Sequence, residues 1–154
     1  MIVDKELCYV MIKPGFVNKE IINNTKNALE NKGMRVINES KIKYDEECAR
    51  LHYIEKQIKP YFKELVDYLV SDYAYGMILE GRDAVTVCRN TVEELRTTLK
   101  EKYNLNTDVM RNILHCSSRT KVGNQMLELD TQRELALFCY LEDKKLDKEN
   151  QVWI

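Results

Sequence analysis

No apolar run in this chain approaches the roughly 20 consecutive positions that a membrane-crossing helix needs. The first residues, Met1-Ile2-Val3-Asp4-Lys5-Glu6, interleave charge with apolar side chains where a secretory signal would be unbroken. Export and membrane insertion are therefore not expected, and a cytoplasmic location is. A dominant charge is missing too: 24 Lys and Arg face 25 Asp and Glu, a formal net charge of -1. That balance supplies no field for a long polyanion, which speaks against nucleic acid or an anionic membrane as partner. A small phosphorylated ligand stays open, because a few converging Lys and Arg side chains hold a phosphate whatever the net charge. Proline and glycine are scarce, at 2 and 5 of 154 residues, and no repeat, low-complexity stretch or Pro/Gly/Ser-rich linker divides the chain. One domain around a single core is the expectation at this length.

Cysteine pairing signals are absent as well. Cys8, Cys48, Cys88, Cys116 and Cys139 stand singly, without a C-x-x-C pair and in odd number, so reduced thiols are the simplest reading. The 2 histidines, His52 and His115, lie far apart in sequence with no zinc-type spacing, and a structural metal site is not expected.

What is present is a succession of short apolar runs and amphipathic stretches. Residues 7–12 form an apolar, strand-favouring run closed by Lys13-Pro14-Gly15, which leaves Lys13 at a strand end. Residues 18–31 carry Ile21, Ile22, Ala28 and Leu29 near helical spacing, and Lys32-Gly33 supplies a stop. Residues 34–43 read as a half-exposed strand. Asp45 caps a helix over Glu46, Cys48, Leu51 and His52, and Pro60 precedes another over residues 61–70. Residues 73–81 read as a strand ending at Gly81, with short helices expected over 82–89 and 93–101. The apolar run 135–141 reads as the last strand, followed by a charged tail over 142–154 that is expected to be loosely held. The order implies an α+β, ferredoxin-like βαββαβ sandwich: a four-stranded, mainly antiparallel sheet with helices covering one face.

His115 sits in Asn112-Ile113-Leu114-His115-Cys116-Ser117-Ser118. A lone histidine is more often a satisfied imidazole than a catalyst, so its case depends on the rest of the chain. Val10-Met11-Ile12-Lys13-Pro14, His52-Tyr53, Lys59-Pro60-Tyr61-Phe62, Leu79-Glu80-Gly81, Arg111-Asn112-Ile113-Leu114-His115 and Glu134-Leu135-Ala136-Leu137-Phe138 occur in an order and spacing that resemble the nucleoside diphosphate kinase family over residues 7–141. The resemblance implies a ping-pong transfer of phosphate between nucleoside triphosphates and diphosphates, with His115 as the nucleophile. An imidazole suits that role, since its unperturbed pKa of about 6.5 leaves a neutral nitrogen available near pH 7. The resemblance further makes Glu134 the carboxylate that orients His115 and Ser117 the assisting hydroxyl, and places Tyr53 near the histidine. It makes Lys13, Arg89 and Arg96 the phosphate-holding cations, Asn112 a donor near sugar or phosphate, and Tyr61 with Leu65 the slot for the base. Stacking on a ring tolerates any base. Mg²⁺ is implied as a companion of the nucleotide's phosphates rather than of a protein cage, and a homo-oligomer is implied as the assembly.

The pattern has departures. Between Arg89 and Arg96 the chain is about ten residues shorter than usual, in a loop that commonly helps hold phosphate; Thr91 is a possible stand-in for the threonine there. Cys116 and Ser118 replace a small residue and an Asp beside the nucleophile. Residues 119–130 form a loop about eight residues longer than usual, a length that surface loops absorb at small entropic cost. The competing readings are a nucleotide-binding scaffold of the same fold with weak turnover and, less well supported by the charge balance, a nucleic-acid-binding module.

Overall fold

In the computed structural model, which describes residues 5–122, 125–127 and 129–151 and side chains outside 120–129 and 146–151, four strands form one sheet. Strand β1 (Glu6–Ile12) runs up the middle, between β3 (Ala74–Gly81) and β4 (Leu114–Cys116), and β2 (Arg35–Ile42) lies outside β3. All three pairings are antiparallel. Helices α1 (Lys19–Asn31), α2 (Glu46–His52), α3 (Phe62–Val70), α4 (Ala84–Tyr103) and α5 (Leu129–Gln151) complete the α+β architecture expected from the order of elements.

The helices cover both faces of this sheet, not one. Residues Cys8 to Ile12 have no solvent exposure, and successive side chains of a strand point to opposite faces. Val10 and Ile12 join Leu79 against Leu29 of α1 and Val92 of α4, while Tyr9 and Met11 join Ile78 against Ala49 of α2, Leu69 of α3 and Phe138 of α5. A strand that reads as an unbroken apolar run is buried on two sides, and two sides need cover.

Local signals set most boundaries. Asn18 accepts the Ile21 N–H at 2.9 Å and Asp45 the Cys48 N–H at 2.8 Å, satisfying donors that a helix start leaves unpaired. Gly33 ends α1 with φ of 87°, a left-handed conformation that glycine adopts without strain. At Gly76 the issue is space: a Cβ there would meet the Phe138 ring at 2.5 Å and the Tyr9 hydroxyl at 2.8 Å.

Several expectations are corrected. The run 135–141 belongs to α5, not to a strand. Thr131, Glu134, Leu137, Phe138 and Leu141 are buried, whereas Ala136, Cys139 and Tyr140 are exposed, which is the three-and-four spacing of a helix face. Burying each of the large apolar members contributes roughly 1.5–3 kcal/mol. The fourth strand is β4, only 3 residues long. The two short helices expected over 82–101 are one continuous α4 of 20 residues. The 119–130 loop contains a hairpin of β5 (Thr120–Val122) and β6 (Gln125–Leu127). Helix α5 runs past residue 141 to Gln151, so no break marks the start of the charged tail, and Glu142 and Lys144 reach Asn38 and Asp45. Residues 1–4 and 152–154, at the two ends of the expected domain and tail, lie outside the described residues.

Candidate active site

His115 is delivered by a tight turn and a short strand. Leu114 donates its N–H to the Asn112 carbonyl at 2.9 Å, two residues back, and Ile113 between them has φ of 78°. This is the strained form of the γ-turn, and for a β-branched residue it carries a cost of about 1–3 kcal/mol. The turn is pinned from β1, where the Lys13 N–H donates to the Ile113 carbonyl at 2.8 Å. Three residues of β4 then pair with β1, setting His115 opposite Met11. Alternation puts Cys116 on the other side, buried in the cluster beneath α4, so its thiol does not reach the surroundings of the His115 ring.

Helix α5 brings Glu134 to His115. Oε2 of the carboxylate lies 2.9 Å from Nε2 of the ring, and Oε1 accepts the Ser117 hydroxyl at 2.9 Å. Ser117 in turn accepts the Tyr9 N–H at 3.1 Å. Burial raises the Glu134 carboxyl, but the His115 ring, His52 and the Ser117 hydroxyl outweigh it and hold it at about 2. An ionised carboxylate only accepts hydrogen bonds, so Nε2 of His115 must be the donor. A neutral ring then carries its lone pair on Nδ1. Glu134 makes these contacts almost wholly inside the protein, at 3 % exposure.

A cavity of about 670 Å³ opens in front of His115, and Lys13, Tyr53, Tyr61, Leu65 and Glu134 line it too. Lys13 is buried and donates from Nζ to Asn112 Oδ1 at 2.6 Å and to the Met110 carbonyl at 3.1 Å. Burial first and the charge of Arg96 second lower its pKa to about 8. Tyr61 is exposed at the rim ahead of α3, with Leu65 one turn on. Tyr53 is buried beside the ring of His52.

Other sequence candidates stand apart from this cavity. Ser117 lies beneath it with no solvent exposure, and Asn112 faces Lys13 and the next cleft. Arg89 and Arg96 sit on α4 in two further clefts, because the segment between them is helix and not a phosphate-wrapping loop. Arg96 donates to the Leu114 carbonyl from Nη2 at 2.8 Å and Nε at 3.3 Å. Thr91 cannot replace a loop ligand: it is buried and donates to the Val87 carbonyl of its own helix. The cations that do line the cavity are Lys13, Lys56 and Arg133. Sequence reasoning passed over Lys56, Arg133 and His52. A signal existed for Arg133, which adjoins Glu134 in a polar run that already reads as helical.

His52 is the other omission. It stands 4.7 Å from His115 between ring centroids at 68°, is 3 % exposed, and neither ring nitrogen has a hydrogen-bond partner. Burial, reinforced by the charge of His115, lowers its pKa to about 3. The two histidines, distant in sequence, are thus neighbours in space.

Residues 6–134 match the model of the nucleoside diphosphate kinase family. The chain belongs to that family. It is an enzyme of the nucleoside diphosphate kinase class, a phosphotransferase. A nucleoside diphosphate kinase of Archaeoglobus fulgidus is 30 % identical over 157 aligned positions, covering 97 % of each chain. One from Bacillus licheniformis is 32 % identical, covering 97 % of this chain and 99 % of the relative. Among solved structures, that of a Halobacterium salinarum nucleoside diphosphate kinase in complex with CDP superimposes with a TM-score of 0.66 at 30 % identity, over 87 % of each chain. Family membership therefore extends over nearly the whole chain, including the helix that carries Glu134.

Proposed function

We propose that this protein moves the γ-phosphoryl group of a nucleoside triphosphate to a nucleoside diphosphate through a phosphohistidine on Nδ1 of His115. The observation that carries the reading is the 2.9 Å contact of Nε2 with an ionised Glu134, which leaves the Nδ1 lone pair free beside a cavity of nucleotide size. In the first half-reaction Nδ1 attacks the γ-phosphorus, the bond to the β-bridging oxygen breaks, and the diphosphate leaves. In the second, a terminal oxygen of another diphosphate takes the phosphoryl group and returns the lone pair to Nδ1. Glu134 stabilises the positive charge that builds on the ring, as a carboxylate does for an imidazolium. Migrating phosphate spreads negative charge over its oxygens, so fixed cations supply much of the stabilisation. Lys13, Lys56 and Arg133 line the cavity and are the candidates for this, Arg133 while paired with Glu55 and Asp130. Tyr61 and Leu65 offer a flat apolar surface to the base, and such a surface accepts purines and pyrimidines.

Mg²⁺ belongs to this reading as a partner of the nucleotide's phosphate oxygens. Among the described residues the group able to converge on one ion is two imidazoles and a carboxylate, a poor match for a hard ion that prefers oxygen. The reading extends to a homo-oligomer in the cytoplasm. Among the described residues no helix is long and apolar enough to cross a membrane, and the five cysteines are free.

Incubation with γ-labelled ATP is expected to leave an acid-labile, alkali-stable phosphate on the protein that any added nucleoside diphosphate removes. Labelling that persists in His115→Ala would sink the assignment. Nucleotide binding without labelling of the wild type would leave a nucleotide-binding scaffold in its place.

A further inference from the structure

The three groups at the back of the cavity make more than a hydrogen-bonded pair. His52, His115 and Glu134 each offer a ligand atom, and these atoms all lie within 4.8 Å of one another. Two nitrogens and a carboxylate oxygen are the donor set of a borderline metal such as Zn²⁺, with the cavity supplying an open fourth position. A second observation points the same way. His52 is buried with both ring nitrogens unpartnered, although a buried polar group ordinarily finds a hydrogen bond. In the neutral ring one of these nitrogens carries a proton and the other a lone pair that nothing occupies.

Distances favour insertion over rebuilding. At a metal–ligand length of about 2.0–2.1 Å, two ligands of a tetrahedral site stand about 3.3 Å apart. The Nε2 to Oε2 gap of 2.9 Å opens by a few tenths of an ångström to reach this. The widest gap in the group, within 4.8 Å, closes by about 1.5 Å or less, a movement that side-chain torsions of His52 can supply.

We infer that His52, His115 and Glu134 form an inhibitory site for a borderline divalent metal of the Zn²⁺ class. The metal takes Nε2 of His115 in place of the hydrogen bond to Glu134. The displaced proton moves to Nδ1, so no proton is lost overall. That protonation removes the lone pair with which His115 attacks phosphorus. The inhibitory consequence rests on the proposed kinase chemistry, whereas the metal binding does not.

The test titrates the full-length protein, free of nucleotide, with cobalt chloride and then zinc chloride. Expected are one metal per chain, the visible absorption of four-coordinate Co²⁺ without a sulfur-to-cobalt charge-transfer band, displacement of cobalt by zinc, and loss of His115 labelling that returns when the metal is stripped with EDTA and Mg²⁺ is then resupplied with the nucleotide. His52→Phe and Glu134→Gln should each weaken binding on the order of tenfold or more, since even partners outside the ligand shell are worth that much. Glu134→Gln keeps the side chain's shape, so it decides the matter if His52→Phe does not fold. Binding unchanged in the folded variants, a thiolate band, or no bound metal in a protein that labels normally overturns the inference. A protein that binds metal in this way but never labels leaves the site standing and removes the kinase reading.

Discussion

His115 and Cys116 are adjacent in the chain and belong to different worlds. On one side of the β1–β4 pair, Cys116 Sγ lies 3.5 Å from Cys8 Sγ in a dry cluster with Val92 and Ile113. The hydrogen bond with Cys8 and then burial push the Cys116 thiol up, so it stays neutral. On the other side, at the wall of an open cavity, His115 meets Glu134, which Ser117 also holds, and lies in a T-shaped contact with His52. The same strand serves both because its side chains alternate. On the Cys116 side packing sets the tolerance to change; on the His115 side, hydrogen-bond partners and charge set it.

The sharpest break of this comparison is a matched pair of substitutions. Glu134→Gln keeps the shape but offers an amide N–H to Nε2, which favours the tautomer with the proton on Nδ1. Loss of kcat by about 10²–10⁴ is expected, the range seen when an orienting carboxylate is replaced by its amide, read as the rate of phosphohistidine formation in single turnover. Cys116→Ala should leave that rate within a few-fold while lowering Tm, as removal of a buried group does. Equal rate losses in the two variants would erase the distinction between the faces.

A pH profile sharpens it further. Lys13 faces the cavity and has its pKa lowered to about 8 by burial and by Arg96. As pH rises above about 8, kcat/KM should fall, approaching tenfold per pH unit, because the free enzyme loses a phosphate-holding charge. The limb in kcat should lie higher, since bound phosphate favours the protonated amine. The sign for stability is opposite. An amine whose folded pKa lies below its unfolded value of about 10.4 disfavours the fold while protonated in both states, so this group strengthens the fold between about pH 8 and 10.4. Activity loss with intact Tm is thus the expected signature, and Lys13→Arg, which keeps its charge throughout, should abolish the limb at a lower rate. A limb unchanged in that variant would assign it to another group.

The sequence made the centre of this site legible and its edges much less so. The β1 run, the cap at Asp45 and the Lys13-Pro14 strand end announce themselves through local chemistry, and they lead to Lys13 and His52 at the cavity wall. Even the two-sided burial of the sheet was implicit in an unbroken run from Leu7 to Ile12. Leu135 to Leu141 misleads because apolar side chains on a buried helix face and its flanks make a run as continuous as a strand. The polar residues that reveal the helical spacing, Thr131 and Glu134, lie before it. β4 is too short to show any period. The meeting of His52 with His115 depends on α2 packing with α3 and α5 over the sheet face that carries Met11, a relation no local pattern carries.

Arg96 tests where the boundary between the two regions runs. By resemblance it clamps phosphate; in the structure its guanidinium grips the Leu114 carbonyl, one residue before His115 and away from the cavity. A clamp and a brace fail differently. Loss of a phosphate clamp raises KM for nucleotide, whereas loss of a brace lets β4 shift and reduces kcat with KM little changed. Arg96→Ala removes a charged hydrogen bond to a part-buried carbonyl, worth about 1.5–3 kcal/mol, so a Tm lower by several degrees is expected for a chain of this size, at about 2–4 °C per kcal/mol. The expected kinetic effect is a modest fall in kcat, smaller than that of Glu134→Gln. Steady-state kinetics and thermal unfolding of the one variant decide between the roles: a large rise in KM at unchanged Tm would return Arg96 to the phosphate, and would mean that α4 moves towards the cavity when nucleotide binds.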